Sequence, residues 1–207
     1  NGYEKIGETL PQFPSAPTAN DFKFLFFQKY SAAARSLGYH QAVNYAFSNE
    51  IKQKSFIGAI EKLKAFAFKG LDESISLMNP LSEDINVMKT TLSYGLFQNC
   101  VSNVNQGNAQ GQLFELGHCF YKEGENYFEQ PRAAMIFWGQ SQGLWASQTP
   151  AVLQVKSHLQ LLFQQLGASI QINQLEIEKA PDLLHPAQSA EIIFEGEKIG
   201  FFGHVHP

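Results

Sequence analysis

The side chains equipped for chemistry are few and scattered along this chain. His185, His204 and His206 lie near its end, and His204 and His206 fall on one face of a predicted strand. Such histidines offer a metal site, but no acid or cysteine is evident to complete a tetrahedral set. A His-Pro pair, as at His185-Pro186 and His206-Pro207, more often orders a turn at a strand end, so no metal is expected. Glu115 interrupts the apolar run LFELGHCFY. It is a general base or a buried structural acid, and the second reading requires a donor, since an unpaired buried carboxylate is costly. Lys89 and the Asn79 region are the candidate donors. Cys100 and Cys119 are the only cysteines. One sits on a helix stripe and one in a strand, which suits reduced structural thiols better than a disulfide or metal pair. The glycines of Gly107-Asn108-Ala109-Gln110-Gly111 lack the lysine and hydroxyl that a phosphate-cradling P-loop requires.

The elements that position these groups are set by turn signals and periodicity. Asn20 or Asp21 can cap a helix that runs to Leu37 and stops at Gly38. Tyr39 to Ser48 alternates, with Gln41, Val43, Tyr45 and Phe47 against His40, Ala42, Asn44 and Ala46. Asn49 to Lys64 reads as helix with Ile51, Phe56, Ile60 and Leu63 inward, and Ser74 to Met78 as a strand. Asn79-Pro80 is a turn, because a residue before proline leaves the helical region. A short extended piece through Val87, Met88 and Thr90 to Leu92 leads to a helix capped by Ser93, with Phe97, Val101 and Val104 as its stripe and Gly107 as its stop. Gln112 to Tyr121 and Arg132 to Gly139 read as strands. Thr149 as cap with Pro150 at the first helical position starts a helix whose stripe is Val152, Val155, Leu159, Leu162 and Leu166, ended by Gly167. Ile170 to Glu178 comes next as a strand, then a hairpin turning at Glu195-Gly196-Glu197.

The order strand, helix, strand with NPLS at 79–82, MKTTL at 88–92 and LFELGHCFY at 113–121 resembles the catalytic-like region of bacterial phenylalanyl-tRNA synthetase β subunits. That family shows N-P-L-S, M-R-T-S-L and L-F-E-I-G-x-x-F in the same order, and the likeness runs along essentially the whole chain. Leu184 to Ala190 is similar to its L-H-P-G-R-S-A, with Ala187 and Gln188 in place of the glycine and arginine. Lys89 stands where the family has arginine, so a bidentate contact there is not available to it. The resemblance implies an α+β fold: a largely antiparallel mixed sheet flanked by helices, as in class II synthetases. It also implies that the chemistry is absent. The active subunit closes the second strand of this region with an arginine that grips the ATP α-phosphate; here Tyr121 takes that place, and a phenol supplies no cation fork.

The function this resemblance implies is a non-catalytic scaffold that supports attachment of phenylalanine to tRNA by an α-subunit partner. ATP and magnesium would serve the parent enzyme, and tRNA would meet the whole complex rather than this region, in the cytoplasm. Residues 1–19, with Pro11, Pro14 and Pro17, read as the tail of a preceding domain and a linker; 20–207 reads as the synthetase-like domain, cut before the third class II signature. The first helix carries more aromatics than one stripe needs. Phe22, Phe26, Phe27, Tyr30, Ala33, Ala34 and Leu37 share the face expected on the domain's own sheet. Phe24 and Leu25 point the other way, where the resemblance places subunit contacts. Two readings from other classes stand beside this one: a metal-dependent enzyme built on the histidines, and a free-standing relative that binds a small molecule in the vestigial pocket.

Composition agrees with a globular chain. Its 207 residues suffice for one good core, and 44% are hydrophobic and 16% charged. A net charge of −4 leaves no electrostatic footprint for nucleic acid. No apolar run approaches membrane-spanning length and no signal peptide is evident, so no membrane partner is expected.

Overall fold

A computed structural model describes residues 21–66, 74–80, 82, 84–139 and 150–206. The expected linker over 1–19, the alternative cap Asn20 and the Thr149 cap lie outside these residues.

Helix α1 (Phe22–Ser36) begins where the Asp21 side chain accepts the Lys23 N–H, at 3.0 Å. Gly38 comes after it with φ +88°, a value that suits glycine past a helix end. The alternating stretch beyond is not one strand. Only β1 (His40–Gln41) and β2 (Phe47–Ser48) pair: β1 runs parallel to β4 (Gly111–Glu123), and β2 runs antiparallel to β3 (Val87–Met88). The alternation nonetheless survives as a burial pattern, since Gln41, Val43, Tyr45 and Phe47 all face outward.

The next helix breaks in two, α2 (Glu50–Ile57) and α3 (Ile60–Lys64), at Gly58 with φ +73°. Ile51, expected inward, is 77% exposed, while Gln53 is buried. A tertiary hydrogen bond decides this, because the Gln53 Oε1 accepts the Thr90 N–H at 3.1 Å. The α3 N-terminus has no local side-chain cap. Asp182 supplies one from far along the chain, accepting the Ala59 N–H and the Lys62 ammonium at 2.8 Å each. The strand expected at Ser74–Met78 reduces to one bridge, Ser76 with Val87.

Helix α4 (Ser93–Asn105) starts one residue earlier than the capping pattern implies. Ser93 is its first residue rather than its cap, and Thr91 Oγ1 accepts the Ser93 N–H. Its buried residue is Leu96; the expected stripe of Phe97, Val101 and Val104 is turned outward at Val101 and Val104. Strands β4 and β5 (Asn126–Trp138) form an unbroken antiparallel pair, so the sheet order is β1-β4-β5. Helix α5 (Ala151–Gln165) has Pro150 as its N-cap residue rather than at the first helical position. Leu159 and Leu162 are its buried stripe. Beyond it β6 (Gln171–Gln174) is shorter than expected, giving way to a 3-10 turn at Ile177–Lys179. Strands β7 (Leu184–Phe194) and β8 (Glu197–Val205) join through Glu195 and Gly196, both at positive φ, the two-residue hairpin turn that matches strand twist.

One core lies between α1, α5 and one face of β4: Tyr30, Ala33, Ala34, Tyr39, Phe114 and Leu162. A second joins Ile57 and Leu63 to Leu183 and Phe201, and so ties the α2–α3 region to the β7–β8 hairpin.

Candidate functional site

Alternation along β4 sends Phe114 to the α1–α5 core and Glu115 to the opposite face. Glu115 is 2% exposed. Lys89, 8% exposed, donates its ammonium to Glu115 Oε1 at 2.8 Å. Asn44 Nδ2 donates to Oε2, also at 2.8 Å. An arginine would offer both oxygens one planar fork; a lysine reaches one of them, and an asparagine from another segment takes the other. Asn44 is held in turn, since its Oδ1 accepts from Asn99 Nδ2 at 3.1 Å. Two glycines make the space. A Cβ on Gly95 would stand 3.1 Å from the Asn44 amide, and one on Gly117 would stand 3.4 Å from the Lys89 ammonium.

Chemistry alone offers Glu115 either Lys89 or the Asn79 region. The structure brings Lys89 to it and leaves Asn79 and Pro80 exposed in a turn. Asn44, Asn99 and Gln53 are additions that the sequence does not announce. Asn44 has one legible signal: it is a polar residue between Ala42 and Ala46 on one alternating face.

Beside the pair opens a cavity of about 250 Å³. Tyr45, Phe47, Thr91 and Tyr94 line its walls, and the exposed Lys52–Asp84 pair is among its lining residues. Both oxygens of Glu115 already accept from donors, which leaves it poorly placed to act as a base toward a substrate.

Farther along the same face of β4 is Tyr121. Its ring is 7% exposed and stacks on Phe128, centroids 5.0 Å apart and planes 10° from parallel. Arg132, across the ladder from Gly117, donates to Gln130 at 2.7 Å. Lys122 lies over the Tyr127 ring. A stacked, buried phenol offers no cation to a phosphate. Cys119, on this face too, is buried, and burial pushes its thiol up to about 12.

The histidines separate by environment. His185 is the second residue of β7, stacked on His206 just past the end of β8, with centroids 6.2 Å apart. His204 Nδ1 lies 2.8 Å from the Val205 carbonyl. Among the described residues no group of three or more His, Cys, Asp or Glu side chains converges as a metal site would require. His118 and His158 instead pack on aromatic rings. Tyr39 O–H lies 3.0 Å from His158 Nδ1, and partial burial lowers the pKa of that imidazole.

The α1 surface departs from expectation at its start. Phe22 and Phe26, placed on the inward face by periodicity, are 78% and 40% exposed. They stack on each other, and contact with β4 begins only at Phe27, against His118, and Tyr30, against Phe114. Phe24 is 58% exposed and Leu25 half-buried. The first turns of α1 therefore present aromatic surface on more than one side.

Comparison with known proteins places these features. Two pyrrolysyl-tRNA synthetase structures from Desulfitobacterium hafniense share the fold, with TM-scores of 0.54 and 0.59 at 11% and 10% identity. They cover 86% and 84% of this chain, which spans 54% and 56% of theirs. The α+β, class II synthetase-like architecture is thus the one observed. Phenylalanine–tRNA ligase β subunits of Bdellovibrio bacteriovorus and Francisella tularensis are 38% and 28% identical over the whole of this chain. The chain spans about a quarter of their length, 26% and 24%. The pattern of the phenylalanyl tRNA synthetase beta chain CLM domain matches residues 6–207. The chain therefore belongs to the family of phenylalanyl-tRNA synthetase beta chain CLM domains.

Proposed function

We propose that this domain is a catalytically silent scaffold within a phenylalanine–tRNA ligase, holding an α subunit that carries out the ATP-dependent attachment of phenylalanine to tRNA. Residues 20–207 are the scaffold in this reading. ATP and magnesium act on the partner, tRNA meets the assembled enzyme, and the assembly works in the cytoplasm. The observation that carries the reading is Tyr121, whose buried ring stacks on Phe128 where the active fold needs a cation. Among the described residues no helix is long and apolar enough to cross a membrane.

The contact with the partner is assigned to the start of α1. Phe24 is 58% exposed, and burying such a side chain contributes roughly 1.5–3 kcal/mol, a gain a lone domain forgoes. Co-expression with the cognate α subunit and then sizing tests this. Wild type co-elutes with the α subunit; Phe24→Ser with Leu25→Ser weakens assembly and leaves the melting temperature nearly unchanged. Amino-acid-dependent pyrophosphate exchange by this chain alone, above a blank, contradicts the silent role.

A further inference from the structure

The cavity beside Glu115 is rich in donors and poor in open acceptors. Lys89 lines it and is 8% exposed. An ammonium has three N–H donors. Glu115 accepts one of them, and among the described residues no second acceptor reaches it. Thr91, also lining the cavity and 8% exposed, accepts the Ser93 N–H and keeps its own proton to donate. The Tyr94 hydroxyl accepts from Gln98 at 2.7 Å and keeps its proton as well. Two helices begin at the same wall, α2 at Asn49 and α4 at Tyr94 and Gly95. A helix start carries partial positive charge and N–H groups with no partner inside the helix. At α2 the Asn86 and Asn49 side chains accept the Glu50 and Lys52 N–H groups. At α4 the N–H groups of Tyr94 and Gly95 meet no acceptor among the described residues. The acids of the cavity are engaged: Lys52 holds Asp84, and Lys89 with Asn44 holds Glu115.

We propose that this cavity binds a small organic monocarboxylate. Its carboxylate takes the unspent N–H groups of Lys89 and of the α4 start, and its apolar body lies against Tyr45 and Phe47, exposed aromatics of the wall. Charge selects the ligand. The formal charges of the lining cancel, Lys52 against Asp84 and Lys89 against Glu115, which leaves the positive ends of two helices and the open donors. One negative charge suits that balance. A phosphate dianion asks for cations the lining does not have. Burial has already stripped water from the Lys89 ammonium, so a carboxylate meets it at little further cost. A volume of about 250 Å³ admits a single-ring acid and little more. The lining includes neither Tyr121 nor any residue of α1, so the site can fail while the scaffold reading stands.

Isothermal titration of the 207-residue chain with benzoate, with benzamide as its uncharged counterpart and with inorganic phosphate tests the site, read together with backbone amide correlation spectra. Benzoate binds one per chain and shifts the Tyr94 and Gly95 amide resonances. Benzamide binds about tenfold more weakly, the weight of one charge-assisted hydrogen bond, and phosphate leaves both resonances in place. Lys89→Met/Glu115→Leu removes both buried charges together and loses benzoate binding. Tyr45→Ala changes an exposed position, weakens benzoate and keeps the wild-type melting curve, so it reads the site even if the double variant fails to fold. Absence of benzoate binding overturns the proposal. So do equal affinities for benzoate and benzamide, unmoved Tyr94 and Gly95 resonances, or binding that neither Tyr45→Ala nor a folded double variant weakens.

Discussion

Replacing Glu115 with glutamine removes one charge and keeps the side-chain shape. The Lys89 ammonium, with its side chain 10% exposed, is then left in a buried site without its carboxylate. The new amide oxygen still accepts from Lys89, but the new amide nitrogen meets the Asn44 Nδ2, donor against donor. Turning the Asn44 amide over relieves that clash and deprives Asn99 of its acceptor. Removing one member of a buried pair costs about 3–5 kcal/mol. The retained oxygen contact places this substitution at the low end, about 3 kcal/mol, a large share of a domain's usual 5–15 kcal/mol. Urea titration monitored by far-UV circular dichroism reads the change, with the slope checked against wild type. Lys52→Met is the control, because its pair with Asp84 is 57% and 72% exposed and such pairs contribute little. Lys89→Met with Glu115→Leu, which removes both charges, costs less than either single change. If Glu115→Gln is indistinguishable from Lys52→Met, the buried pair does not hold these segments together.

Gly95→Ala gains about 1 kcal/mol of helix propensity and presses a methyl on the Asn44 amide, so its net benefit disappears in the wild type and returns in an Asn44→Ala background. Thermal melts of the two single variants and the double variant show this. In the native protein near neutral pH, a thiol reagent labels half-buried Cys100 slowly and buried Cys119 only on unfolding, since burial raises the pKa of both. Labelling of Cys119 at the Cys100 rate refutes the burial. The same shift makes a pH prediction. The unfolded thiol ionises from its ordinary range near 9.0 while the folded one holds its proton to about 12, so this contribution falls as pH rises across that window. Burial raises Tyr30 and Tyr39 in the same direction. Urea midpoints that do not fall through this alkaline range argue against both.

Glycine stops and long periodic runs are legible in the sequence, because they rest on local backbone physics. Gly38, Gly107 and Gly167 all end helices at positive φ, and β4 runs through the predicted strand. What escapes is set by tertiary contacts. Gln53 turns inward because Thr90, distant in sequence, offers its N–H. The stretch from Tyr39 to Ser48 alternates as a strand should, yet only its ends find ladder partners. In the site, Glu115 and Lys89 can be paired from chemistry alone, since each needs an opposite charge when buried. Asn44 cannot be assigned that way, because a neutral amide has no such requirement and its place depends on Gly95 leaving room.

The opposed faces of β4 have a consequence for how the strands find their alignment. Phe114, wholly buried among Tyr30, Ala33 and Leu162, and Glu115, wholly engaged with Lys89 and Asn44, are neighbours in sequence. A hairpin aligned one residue out of step would exchange them, since side chains change faces at every position. That error would drive a carboxylate into an aromatic core and strand a lysine beside a phenyl ring, with both groups unpaired. The penalty arises from two independent environments at once, so no single relaxation relieves it. A sheet with one greasy face and one wet face tolerates small slips far better. A misaligned hairpin is therefore strongly disfavoured, and β4 against β5 is left with one alignment.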